Sequence, residues 1–379
     1  MVKLNEIELQ SKTIDWLRFP LAVLVIFIHM PLVRDSQNVD YMNFNLYNWY
    51  DITVILTKKI IANIAVPCFF MFSGYLFFNS VEKWNRRVYF AKIKIRLRTL
   101  VIPFILFNLS VIILYALLKI LKADGSIYPY LNELYGNWYR LLWNYSSWSP
   151  DYVNIFGQTL QPCYGPYLLQ LWFLRDLIVM VFISPAVYYL IKYTKIWVLV
   201  ILGLCFYSKM FIEITGYSGR LFITAFFFFS LGAFFSINRK NIVVSLRKYQ
   251  TVWFAVSLTS MILWYFFVDG LYGFFAPVFV LSGVISAVNI TSYFIEHGRF
   301  RVSETLSRAS FFIYCTHCIL ITDWVYRAFN KIFDTDATLL VLFVRYFTAP
   351  FVCVGIIICI YLIMRRFIPK ILNLFTGNR

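Results

Sequence analysis

Two ionisable residues stand inside the first apolar run, Trp16-Leu-Arg18-Phe-Pro-Leu-Ala-Val-Leu-Val-Ile-Phe-Ile-His29-Met-Pro31. An ionisable group in a lipid-like run costs several kcal/mol unless it faces a cavity or a partner. Arg18 and His29 are eleven residues apart, which in a helix is roughly 16 Å of rise and a return to nearly the same azimuth. Both side chains then face one groove. An imidazole titrates near neutrality and can serve there as a general base or a nucleophile. The bland alternatives are an arginine snorkelling to the interface and a core histidine bonded to a carbonyl. A later run adds Trp172, Arg175 and Asp176. Trp172 precedes the charged pair by three and four positions and shares a face with it. The pair is either a self-contained ion bridge that fixes packing, or a reactive one. In the second case Arg175 holds a developing oxyanion and Asp176 orients His29 as the third member of a triad orients its base. Tyr314 and His317 lie in the ninth run, where His317 reads first as a packing or cavity residue. Cys315-x-x-Cys318 around it is a single pair with no second cluster, so no metal is expected.

These residues must be positioned by membrane helices. Of 379 residues, 61% are hydrophobic, 21% aromatic and only 14% charged, and the mean hydropathy is +0.70. Soluble domains carry about a quarter charged residues, and the apolar residues here fall in runs long enough to cross a bilayer. A soluble enzyme, a disordered chain and a disulfide-stapled module are excluded. About ten helical spans are predicted, at 14–33, 60–79, 100–121, 166–190, 196–212, 221–237, 251–268, 272–290, 309–326 and 339–364. The expected fold is an all-α polytopic bundle forming one domain over 1–379, without internal repeats or a soluble appendage. The net charge is +17. With the N-terminus inside, 23 of the 35 basic residues fall on inner segments, 11 on outer ones, and Arg175 within the membrane. The positive-inside rule therefore places both termini in the cytoplasm. Residues 1–13 contain Glu6 and Glu8 and no cleavage site follows, so the first span is expected to be retained. Of the seven cysteines all but Cys163 lie in apolar runs, and no structural disulfide is needed.

The Arg18-x10-His29 arrangement resembles the signature of the integral-membrane acyltransferase type 3 family. Val66-Pro67-Cys-Phe-Phe-Met-Phe-Ser73-Gly74-Tyr75 is similar to that family's second-span stretch. Lys92-Ile-Lys94-Ile-Arg96-Leu-Arg98-Thr-Leu-Val-Ile-Pro103 is similar to its basic run before a proline, with alternating Lys and Arg in place of a compact Arg cluster. Leu171-Trp172-Phe173-Leu174 matches its Trp-Phe-Leu element, and Ser310-Phe-Phe-Ile-Tyr314-Cys-Thr-His317 its late Tyr-x-x-His. The matches stand in register along nearly the whole chain.

The resemblance implies transfer of an acyl group, usually acetyl, from cytosolic acyl-CoA to a hydroxyl of an extracytoplasmic glycan or lipid-linked precursor, in an inner membrane. His29, Arg18, Asp176 and Arg175 are then the catalytic candidates. Arg96 and Arg98, with Ser73 and Gly74, are the donor-binding ones. Trp172, Tyr314 and His317 are supporting or acceptor-side residues. Acetyl-CoA is expected as a co-substrate, with no permanently bound cofactor and no nucleic acid. Arginines suit bidentate phosphate contact, although orientation alone also requires a basic inner segment. The loop 123–165 is rich in aromatics whose flat faces suit sugar rings, and it equally suits an interfacial aromatic belt. Two alternatives stay open: a different acyl donor such as succinyl-CoA, and a transporter or flippase of glycans. The missing internal symmetry weighs against the latter.

Overall fold

In a computed structural model of the chain, the described residues are 4–31, 46–79, 81–121, 138–143, 152–153, 159–160, 165–208, 219–267, 272–333 and 338–378. They are almost entirely helical. In chain order the helices are α1 (Glu6–His29), α2 (Leu46–Val54), α3 (Ala65–Phe78), α4 (Arg86–Arg96), α5 (Ile102–Leu121), α6 (Trp138–Trp143), α7 (Trp172–Phe182) and α8 (Ser184–Thr194). They continue as α9 (Trp197–Ser208), α10 (Gly219–Ile237), α11 (Ile242–Arg247), α12 (Gln250–Phe266), α13 (Tyr272–Glu296), α14 (Glu304–Thr316), α15 (Ile321–Ile332), α16 (Leu339–Phe367) and α17 (Pro369–Thr376). A two-residue antiparallel pair, Tyr152–Val153 with Thr159–Leu160, is the only strand pairing among the described residues.

Four stretches are long and apolar enough to cross a membrane: Trp49–Phe78, Arg86–Leu118, Phe274–Glu296 and Leu339–Phe367. Leu169–Phe182 with Ser184–Thr194 makes a fifth if that bent pair is one span. Two of the expected spans are not straight helices. The run 166–190 bends by 64° between α7 and α8, where Pro185 has no N–H to give to the preceding turn. The run 309–326 breaks into α14 and α15 at residues 317–320, and Leu320 adopts a left-handed φ of 62°. Non-helical backbone at such depth persists only where protein or a polar cavity surrounds it.

The chain divides into two compact units, Met1–Asn79 with Leu231–Leu362, and Ser80–Ser230 with Ile363–Arg379. In the first, α1 packs against α3, α11, α13 and α14. Its start is capped by Asn5, whose side chain accepts from the Glu8 amide at 2.7 Å, and Glu6 and Glu8 suit the positive end of the helix dipole. Three bonds then fix its rotation and height. Gln10 Nε2 donates to the Tyr75 hydroxyl at 2.7 Å, Gln10 Oε1 accepts from the Ile242 amide at 2.7 Å, and Asn241 Nδ2 donates to the Glu6 carbonyl at 2.8 Å. Trp16 stacks on Phe300 at 4.1 Å between centroids. Lipid tails are as apolar as leucine, so close van der Waals contact between small residues does much of the packing. Gly232 of α10 shows this: a Cβ there would stand 1.8 Å from the Met71 carbonyl oxygen of α3.

In the second unit α4 continues through a π-helical turn, Leu97–Val101, into α5. Asn85 caps α4 by accepting from the Val88 amide at 2.9 Å. Tyr89 donates to the Phe182 carbonyl at the end of α7. Buried Asn108 accepts from the Leu168 amide at 3.0 Å and so anchors the turn that leads into Trp172. The C-terminal α17 closes on α5, with Phe375 edge-on to Phe107.

Candidate functional site

His29 is the last residue of α1, and Met30 after it is extended. The carbonyls of a helix end are partners for cations. Lys58, from the π-helical segment Ile55–Ile60, donates its ammonium to the Met30 carbonyl at 2.7 Å. π-Segments recur at functional positions because they turn side chains off the regular helical face. The break after α14 delivers the second histidine. His317 is fully buried, and its ring centroid lies 5.1 Å from that of His29.

The hydrogen bonds of His317 fix its tautomer. Nδ1 stands 2.7 Å from the Tyr314 carbonyl oxygen and 3.3 Å from that of Ile313. A carbonyl oxygen only accepts, so Nδ1 carries the proton and Nε2 is left with its lone pair. Nε2 has no hydrogen-bond partner among the described residues. One ring nitrogen of each histidine and the Cys318 sulfur all lie within 4.8 Å of one another. His29 is half-buried while His317 is enclosed. The pair therefore consists of one half-buried imidazole and one enclosed imidazole whose Nε2 keeps its lone pair.

His29, His317 and Cys318 are also ligand types that a soft divalent ion would accept. Ligands about 2.0–2.3 Å from a tetrahedral zinc lie about 3.4–3.7 Å apart. A group spread over as much as 4.8 Å would have to contract to hold one.

The other expected residues are placed as follows. Arg18 pairs with Asp15 one turn earlier at 2.8 Å, both side chains 37% exposed. An ion pair that open is worth under about 1 kcal/mol, which leaves the guanidinium available. Ser73 is half-buried and Gly74 buried on α3, next to Tyr75, whose hydroxyl meets Gln10. They stand nearer the Arg18 end of α1 than the His29 end. Tyr314 is buried, and its carbonyl sets the His317 ring.

The remaining candidates belong to the second unit. Arg175 and Asp176, both fully buried, bond through Nε–Oδ1 and Nη2–Oδ1, each at 3.1 Å. The Arg175 guanidinium also donates to the Trp143 carbonyl at 3.4 Å and lies 5.7 Å from that indole ring. Trp172 opens the same helix and is half-buried. Arg96 is half-buried against Leu97, Ile178 and Phe182, and Arg98 is exposed. The basic segment is helix, because nothing between Asn85 and Pro103 breaks one. Within 123–165, only 138–143, 152–153, 159–160 and Gly165 are described. The rest of the aromatic segment lies outside the described residues.

Sequence reasoning missed Lys58, Thr57, Arg345 and Tyr346. Thr57 and Tyr346 share a hydroxyl–hydroxyl bond, and Tyr346 lies edge-on to Phe27 at 5.6 Å, two residues before His29. The signal was a cation beside an apolar run, Lys58 before one span and Arg345 inside another.

A family model described as an acyltransferase domain matches residues 11–365. The succinoglycan biosynthesis protein ExoH of Rhizobium meliloti (strain 1021) is 26% identical, over 97% of this chain and 92% of that protein. No solved structure matches the chain.

Proposed function

The chain belongs to the acyltransferase type 3 family, and on that premise we propose that it moves a short acyl group from cytosolic acyl-CoA to a hydroxyl of an extracytoplasmic glycan or lipid-linked glycan precursor. It does so as a multi-pass protein of about ten spans in the inner membrane, with both termini cytoplasmic. Acetyl is the donor group that the resemblance implies. Succinyl is the second candidate, favoured by the relative named for succinoglycan biosynthesis.

The observation that carries the reading is the imidazole pair. A sugar hydroxyl becomes a nucleophile when a base takes its proton. His29 takes that proton as the hydroxyl oxygen bonds to the thioester carbonyl carbon. The carbon–sulfur bond then breaks, the electron pair leaves with the coenzyme A sulfur, and the proton passes from the imidazole to that thiolate. In the covalent variant His29 first attacks the carbonyl carbon and the carbon–sulfur bond breaks, releasing coenzyme A as its thiolate. The hydroxyl oxygen then bonds to the acyl carbon as the carbon–nitrogen bond breaks, and its proton passes by way of the freed imidazole to the thiolate. His317 supports either route, since its free Nε2 accepts a proton or a hydrogen bond. Arg18, Arg96 and Arg98 suit the phosphates of coenzyme A. Arg175 suits the developing oxyanion, with Asp176 holding its guanidinium.

Thioester consumption tests the proposal. Membranes containing the protein should release free thiol from acyl-CoA when the glycan acceptor is present, with an alkali-labile ester appearing on the glycan. A transporter or flippase would release none.

A further inference from the structure

Arg345 lies in the second turn of α16 and is only 2% exposed. Among the described residues its one hydrogen-bond partner is the Asn330 side chain, reached through Nη2. Nε and Nη1 have none among the described residues, and no carboxylate there pairs with it. A buried, permanently charged guanidinium with two idle donors is costly in a membrane protein and marks a functional site whose partner should be named. Arg345 lines a cavity of about 20 Å³ together with Met30, Pro31, Tyr50 and Tyr346. That is more room than one water needs. Met30 and Pro31 directly follow His29 in the chain, so the cavity adjoins the end of α1.

We propose that Arg345 receives the distal carboxylate of a dicarboxylic acyl group, so that the donor is a succinyl-type thioester and not a monocarboxylic one. The inference rests on the acyltransferase reading above. Coenzyme A approaches from the cytosolic side in that reading, which leaves the acyl chain pointing past His29 toward the outer side. In the same reading the N-terminal end of α16, which carries Arg345, also faces that side. In a succinyl thioester the carboxylate stands two methylenes beyond the carbonyl carbon that is attacked. Two parallel N–H donors of a guanidinium match the two carboxylate oxygens. An acetyl group carries no second carboxylate to compensate the guanidinium.

The test compares three donors, succinyl-CoA, butyryl-CoA and acetyl-CoA, in membranes that contain the wild-type protein, Arg345→Gln or Arg345→Lys. Butyryl has the same four carbons without the carboxylate. Wild type should prefer succinyl over butyryl and acetyl. Arg345→Gln should lower the succinyl-to-butyryl ratio roughly 10- to 100-fold, the range for a hydrogen bond to a charged group. Arg345→Lys should fall between the two, because it keeps the charge without the fork. The wild-type preference is readable even if a variant does not insert. A wild type that takes acetyl or butyryl as readily as succinyl overturns the assignment and leaves the acyltransferase reading standing. So does an Arg345→Gln loss that is equal for every donor, which would give the guanidinium to an acceptor anion or to packing. No thiol release from any donor would instead sink the acyltransferase reading itself.

Discussion

Replacing His317 separates its structural role from its chemical one. The buried ring donates from Nδ1 to the Tyr314 carbonyl and offers an unpaired Nε2 beside His29. His317→Phe removes both functions. It leaves a buried carbonyl without its donor, at a cost of about 1–3 kcal/mol. His317→Asn keeps a donor where Nδ1 was, so its stability cost should stay near or below about 1 kcal/mol. It has no lone pair where Nε2 was. If His317 serves as a proton acceptor, His317→Asn should lower acyl transfer by about 10²–10⁴, the usual worth of a general acid–base group. The amount of inserted protein should hardly change. Thiol release in membranes, normalised to protein, gives the rate, and thermal stability in detergent gives the structural cost. Wild-type turnover in a well-inserted His317→Asn protein refutes the reasoning and leaves His317 a packing residue.

Three further outcomes follow from the geometry. Gly232→Ala should cut the yield of inserted protein, because the new Cβ would meet the Met71 carbonyl at 1.8 Å; overpacking costs about 1–3 kcal/mol or more, and the melting temperature of purified protein reads it. Replacing Arg96 and Arg98 together with Gln should raise the apparent KM for acyl-CoA with little change in melting temperature, as expected for lost phosphate contacts; an unchanged KM would reduce them to orientation signals. A cysteine introduced at Lys94 should react with an impermeant reagent only after permeabilisation, and one at Asn137 should react in intact cells; the opposite pattern would reverse the donor side.

What the sequence disclosed depended on whether the cause was local. The course of α1 was readable, since Asn5, Glu6 and Glu8 start it and an apolar run carries it to His29. The bend after Phe182 was signalled by Ser184-Pro185. The helical nature of the basic segment was signalled as well, by the Asn85 cap and the lack of Gly or Pro before Pro103. The break at His317 was not readable. Thr316-His317-Cys318-Ile319-Leu320 contains neither glycine nor proline, and the left-handed Leu320 is imposed by surrounding packing. The partnership of His29 with His317 depends on that break, as does the nearness of Cys318. Lys58 reaches the end of α1 from a π-helical turn, and no residue pattern announces such a turn. Arg345 was visible only as a cation within the last apolar run, because its burial comes from tertiary packing.

The central claim is that His29 carries the acyl-transfer chemistry, and the most direct measurement is the alkali-labile acyl ester on the surface glycan of cells bearing His29→Ala, with membrane protein matched to wild type. The account predicts ester content at the level of a deletion strain, while Arg18→Lys retains part of the wild-type content because its charge survives without the planar fork. Wild-type ester content in a well-inserted His29→Ala protein would contradict it, leaving the family's fold without its chemistry at this residue.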